Sequence, residues 1–197
     1  GTFSYPFAIN DADDAASWYA ISVRLEQNPT GRDIMTSSDN KIFSRITFTN
    51  EATTYSKFND GMFRFVKVDN TGFFKIKSRN GKYFKWNIAT IGNNTLNKVD
   101  LVTTTDENAA STFMIIPSPK TGALNTDLDI LPVYSQSTSQ YVCGDHNGNY
   151  LTIWTGDANS KTDDGSRFRI KDVSTNTDLM TLAATLNITD RANAAPS

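Results

Sequence analysis

Apolar and polar residues alternate with a period of two in run after run: "TFSYPFAI", "WYAISVRL", "FSRITFT", "FRFVKV", "FFKIKS", "KYFKWN", "TFMIIP", "YLTIWT" and "RFRIKD". Successive side chains of a strand point to opposite faces, so each run predicts a strand with one face buried and the other wet. Between the runs fall "NPTG", "NDG", "DNTG", "RNG", "IGNN", "HNGN", "TGD" and "DDG", where Gly and Asn accept positive φ and Asp caps its own turn. Many short strands joined by tight turns predict an all-β barrel or sandwich.

Self-similarity narrows the choice. "DGMFRFVKV" (60–68), "ASTFMIIP" (110–117) and "DGSRFRIKDV" (164–173) carry Phe63, Phe113 and Phe168, spaced 50 and 55 residues apart. Each is preceded by an opening strand, "WYAISV" (18–23), "FFKIKS" (73–78) or "ILPVYS" (130–135). A second strand follows ("GRDIMT", "GKYFKW", "SQYVCG") and then a third ("FSRITF", "NKVDLV", "YLTIWT"). The count is four strands per unit and twelve in all. One such unit cannot bury both faces, but three around a pseudo-threefold axis can close a six-stranded barrel and cap one end with three hairpins. The expected domain is 1–173, with repeats at about 17–68, 72–117 and 127–173. In the tail, 174–197, Leu179, Leu182 and Leu186 stand at helical spacing and predict a short helix.

This arrangement resembles the β-trefoil, specifically its ricin-type lectin branch, across 17–173. Units of that branch end in a Gln-x-Trp strand whose aromatic fills the shared core. Here "MFRF", "TFMI" and "RFRI" hold the place and role of that strand with phenylalanine and no Gln-x-Trp. The front end "SYPFAINDADDAASWYAI" is similar to the Pro-Phe…Trp-Tyr opening of trefoil modules in secreted proteins of gut Bacteroidetes. The resemblance implies an exported protein, secreted or held at the cell surface or in the periplasm, and other domains of a larger chain as partners.

Composition removes other classes. At 197 residues, 38% hydrophobic and a net charge of -2, the chain suits one packed core and offers no basic surface for nucleic acid. No run of 18 apolar residues exists, so membrane insertion is not expected, and "GTFSYPFAIN" lacks a signal-peptide layout. Cys143 is the lone cysteine and His146 the lone histidine, too few for a zinc site, and no metal or cofactor is expected. His146 sits in the turn "CGDHNGN" without a G-x-S-x-G elbow, and Glu26, Glu51 and Glu107 lie in polar loop contexts. "DANSKTDDG" (157–165) fails the EF-hand pattern, since Lys161, Thr162 and Phe168 hold its fifth, sixth and twelfth places. No enzyme is expected.

Sugar recognition asks for an aromatic ring against the C–H face of the sugar and an Asp or Asn for its hydroxyls. By the resemblance, these roles fall to an Asp near the second strand, an aromatic ending the third and an Asn in the following loop. The third unit comes nearest: Asp145 as acceptor, Trp154 as platform, Asn159 or Asp157 completing the site, and Asn147 and Asn149 in the adjoining turn. Cys143 holds the strict Asp position. The first unit offers Asp33, Phe48 and Asn50 with Met35 in the strict position; the second has Lys85 there, Val102 where the aromatic belongs, and Trp86 and Asn87. Trp18 and Tyr19 read as structural, and Trp86 shares the face of Phe84. The expectation is a non-catalytic lectin-like module with a glycan or polysaccharide as partner. One alternative is a protease-inhibitor trefoil presenting Arg32 on a loop "EQNPTGRD" (26–33); another is an accessory domain without a ligand.

Overall fold

The computed structural model describes residues 18–25, 28–37, 39–46, 59–69, 71–86, 98–119, 121–124, 126–133, 140–144, 151–155 and 166–172. Twelve strands run through them: β1 (Tyr19–Leu25), β2 (Asn28–Thr36), β3 (Ile42–Ile46), β4 (Phe63–Val68), β5 (Phe73–Ser78), β6 (Tyr83–Trp86), β7 (Lys98–Thr104), β8 (Phe113–Pro117), β9 (Leu128–Pro132), β10 (Gln140–Gly144), β11 (Leu151–Thr155) and β12 (Arg167–Asp172). All twelve anticipated repeat strands are present. The run at 2–9 and the anticipated helix with Leu179, Leu182 and Leu186 lie outside the described residues.

Six strands close a ring by antiparallel pairing, in the order β1, β4, β5, β8, β9, β12 and back to β1. Its register repeats three times. Phe63 pairs with Ser78, Phe113 with Pro132 and Phe168 with Val23. Two residues on, Phe65 pairs with Ile76, Ile115 with Ile130 and Ile170 with Ile21. Tyr19, Phe74 and Leu128 then take equivalent places opposite Phe63, Phe113 and Phe168 at the other seams. Phe63, Phe113 and Phe168 have no exposed surface, and burial of each ring contributes about 2–3 kcal/mol. An exposed ion pair contributes roughly 0–1 kcal/mol, so these stacked layers, not surface charges, hold the barrel shut.

The remaining strands form three hairpins, β2–β3, β6–β7 and β10–β11. β11 also pairs with β7, and the Thr103 amide of β7 donates to the Asn40 carbonyl in the β2–β3 turn at 2.9 Å, so the hairpins meet over one barrel end. Their apolar residues Ile34, Ile42, Phe84, Trp86, Leu101, Leu151 and Ile153 join the barrel core in one cluster. Phe84 links the two layers, with its ring edge-on to Phe63 at 5.5 Å and to Phe113 at 6.3 Å. Trp86 meets Phe113 at 5.5 Å in the same way. The second strand of unit two thus adds aromatic volume to the closing-strand phenylalanines.

One opening strand is shifted from its expected place. β9 begins at Leu128, two residues ahead of "ILPVYS", and its symmetry equivalents run Trp18–Val23, Phe73–Ser78 and Asp127–Pro132. All five residues of β9 are buried, so no alternation marks its register and cross-strand pairing decides it.

Candidate functional site

The three hairpins share a common scheme of rungs. At one end Thr36 faces Ile42, Trp86 faces Leu101 and Gly144 faces Leu151. The next rung sets Met35 against Phe43, Lys85 against Val102 and Cys143 against Thr152. Met35, Lys85 and Cys143, the residues standing in the strict Asp position, are therefore structurally equivalent, and none of the three is an acid.

Two rungs further on, Asp33 faces Ile46 across a bulge, Tyr83 faces Thr104, and Tyr141 faces Trp154. Trp154 is also paired on its other side with Lys98 of β7. The third unit thus carries an aromatic pair on a rung where the other units carry at most one aromatic. Directly opposed residues share a face of the sheet, so Tyr141, Trp154 and Lys98 belong to one face. The Tyr141–Trp154 rung lies three residues from the Gly144–Leu151 rung, about 10 Å of strand.

Asp145, Asn147, Asn149, Asp157 and Asn159 fall outside the described residues. Asp145 directly follows Gly144 at the end of β10, and Asp157 comes two residues after Thr155 at the end of β11. Of the expected site residues, the structure places Trp154 alone, as the fourth residue of β11. Phe48, Asn50 and Asn87, from the other units, are likewise outside.

Several other residues have structural work. Trp86 is 9% exposed and packed on Phe113, so it shares the inward face with Phe84 and is unavailable as a sugar platform. Tyr19 lies in the core, 6.0 Å from Phe65. Asp33 accepts a hydrogen bond from the Ser22 hydroxyl at 2.8 Å, and Asp106 accepts from the Asn108 amide to cap the 3-10 turn Glu107–Ala109. Asp127 has a fully buried side chain: one oxygen accepts from Arg169 Nε at 2.9 Å, the other from the Leu124 amide at 2.8 Å. Each of these carboxylates is engaged in holding the chain's own geometry. Among the described residues no group of three or more His, Cys, Asp or Glu comes together as a metal site would require.

Of the loop expected at 26–33, residues 28–33 are strand. β2 begins at Asn28 and pairs with β1, with Leu25 opposite Asn28 and Val23 opposite Arg32. Arg32 is a ladder residue in a hairpin, not the tip of a long inhibitory loop; the turn chemistry of "NPTG" is overridden by the hydrogen bonds that extending the hairpin gains.

No family model matches the chain, and no curated protein matches it in sequence. Solved structures do match in shape. The designed threefold-symmetric protein ThreeFoil superposes with a TM-score of 0.51 at 12% identity, over 79% of this chain and 99% of its own. The Rhizoctonia solani agglutinin gives 0.53 at 12% identity, over 85% and 99%. The fold is a β-trefoil. The Polyporus squamosus lectin, solved with the epitope Neu5Aca2-6Galb1-4GlcNAc, gives 0.51 at 11% identity, over 85% of this chain and 50% of that one.

Within this β-trefoil, one pairing escaped sequence reasoning. Arg64 Cζ sits 3.7 Å from the centroid of the Trp18 ring, and Arg79 Cζ 5.6 Å from it. Trp18 directly precedes the opening strand and Arg64 follows Phe63, positions that only the threefold register brings side by side. The one available signal was the position of Trp18 one residue ahead of a core tyrosine, hence on the opposite, outer face of the barrel.

Proposed function

We propose that this β-trefoil is a non-catalytic carbohydrate-binding module of an exported protein, with one shallow site in its third unit. The observation that carries the reading is the rung on which Tyr141 faces Trp154, because stacking needs an aromatic surface and the equivalent rungs hold Asp33 with Ile46 and Tyr83 with Thr104. Trp154 serves as the platform, and Asp145, Asp157 and Asn159, with Asn147 and Asn149, supply hydroxyl partners from the segments beyond the ends of β10 and β11. Along the chain Asp157 and Asn159 stand three and five residues from Trp154, nearer than Asp145, which follows the other end of β10, about 10 Å of strand from the aromatic rung. The agglutinin and lectin of similar fold support the class of ligand.

A glycan array followed by Trp154→Ala and Asp145→Ala on each hit tests the proposal. Loss of signal in both variants, with unchanged thermal unfolding, is the expected result. A blank array, or a hit indifferent to both changes, overturns the third-unit site.

A further inference from the structure

β7 is shared between two hairpins. Its residues 101–104 pair with β6 of unit two, while Lys98, Val99 and Asp100 pair with β11 of unit three. Leu101 and Thr103 are buried and Val102 and Thr104 half-buried, so Val99, Leu101 and Thr103 make the inner face of the strand and Lys98 and Asp100 belong to the outer one. The neighbouring strand agrees. Leu151 and Ile153 join the core cluster and Ile153 faces Val99, which puts Thr152 and Trp154 on the other face, with Asp100 and Lys98 opposite them.

Two rows cross this outer face of β10, β11 and β7. One runs Tyr141, Trp154, Lys98, and the next runs Cys143, Thr152, Asp100. Among these six residues Asp100 is the single carboxylate. It stands diagonally from Trp154 across one strand pair, about 7–8 Å away, a separation that one pyranose ring spans. Thr152, in the middle strand, is 5% exposed, so the acceptor of its row is Asp100 at the β7 end. Lys98 lies two residues back on the same face, about 7 Å along the strand. A carboxylate only accepts hydrogen bonds and an ammonium only donates them, whereas a sugar hydroxyl does both. The two side by side suit neighbouring hydroxyls of one ring.

We propose that Asp100 and Lys98 of unit two complete the third-unit site: a neutral pyranoside stacked on Trp154 donates one hydroxyl to Asp100 and accepts from Lys98 at the adjoining oxygen. The inference rests on Trp154 as the platform and adds that the site straddles two units, with its charged groups on the rigid strand β7.

The test begins with an array of galactose-, glucose-, mannose- and N-acetylhexosamine-terminated oligosaccharides. On each hit that Trp154→Ala abolishes, isothermal titration of Asp100→Asn should show binding weakened about tenfold or more, with the urea midpoint unchanged, because a hydrogen bond to a charged group is lost. Monodeoxy analogues of that hit then identify the contacted hydroxyl. Its removal should cost the wild type about tenfold and Asp100→Asn little, since the two losses share one contact. Hits lost in Trp154→Ala but unchanged in Asp100→Asn overturn the role of β7 and leave the platform standing. Losses that simply add for every deoxy analogue show a merely structural aspartate and overturn it as well. A blank array, or hits indifferent to Trp154→Ala, removes the platform and this proposal with it.

Discussion

Arg64 lies over the ring of Trp18 at the place where threefold symmetry sets Arg169 against the carboxylate of Asp127. The same barrel seam is thus closed by a cation over an aromatic face in one unit and by an ion pair in another, while the middle unit places Phe73 and Met114 there. Backbone register is shared and side-chain chemistry is not.

The two closures differ in energy. Trp18 is only 9% exposed, and a cation over a desolvated ring is worth up to about 2 kcal/mol, so Arg64→Met should cost no more than about 2 kcal/mol in urea unfolding. Asp127 is fully buried and holds both Arg169 and the Leu124 amide. Asp127→Ala should cost about 2–3 kcal/mol, somewhat below a fully buried pair because Arg169 is 31% exposed and regains water.

The closing-strand phenylalanines should behave as one set. Phe63→Ala, Phe113→Ala and Phe168→Ala are each expected to destabilise by about 3–5 kcal/mol. Phe113→Trp tests how much room the closing-strand position leaves. Phe84 and Trp86 already press their rings on Phe113, so the larger side chain should overpack and cost about 1–3 kcal/mol. A gain in melting temperature would show that space remains there.

Trp86 and Trp154 should separate cleanly. Trp86→Ala removes a ring packed on Phe113 and should lower stability by about 3–5 kcal/mol, while any glycan affinity of the folded fraction stays unchanged. Tyr141→Ala, on the rung of Trp154, should weaken glycan binding about fivefold or more, which isothermal titration would read, if the aromatic pair forms the platform.

Turn geometry yields a backbone prediction. Gly72 has φ of +79°, and a Cβ added there would meet nothing within 4 Å. The cost of Gly72→Ala is therefore conformational alone, about 1–2 kcal/mol. Asn40, at φ 61°, already tolerates this region, and Asn40→Gly should be neutral or slightly stabilising in the same thermal assay.

Amphipathic alternation is a local property of a strand, and for that reason the sequence by itself determined the twelve strands, the three look-alike units and the inward place of Phe63, Phe113 and Phe168. The same rule placed Trp86 beside Phe84 on the buried face. Where local pattern was silent or conflicted with pairing, only the tertiary structure decided. β9 is buried along its whole length, so its start at Leu128 rests on partners in β8 and β12. Asn28 to Arg32 carries turn residues yet lies in a ladder with β1, because distant hydrogen bonds outweigh a local preference. The stack of Arg64 on Trp18 and the rung of Tyr141 with Trp154 join residues far apart or across a turn, and no periodicity within a single strand encodes such a meeting; closure of the barrel and hairpin register create it.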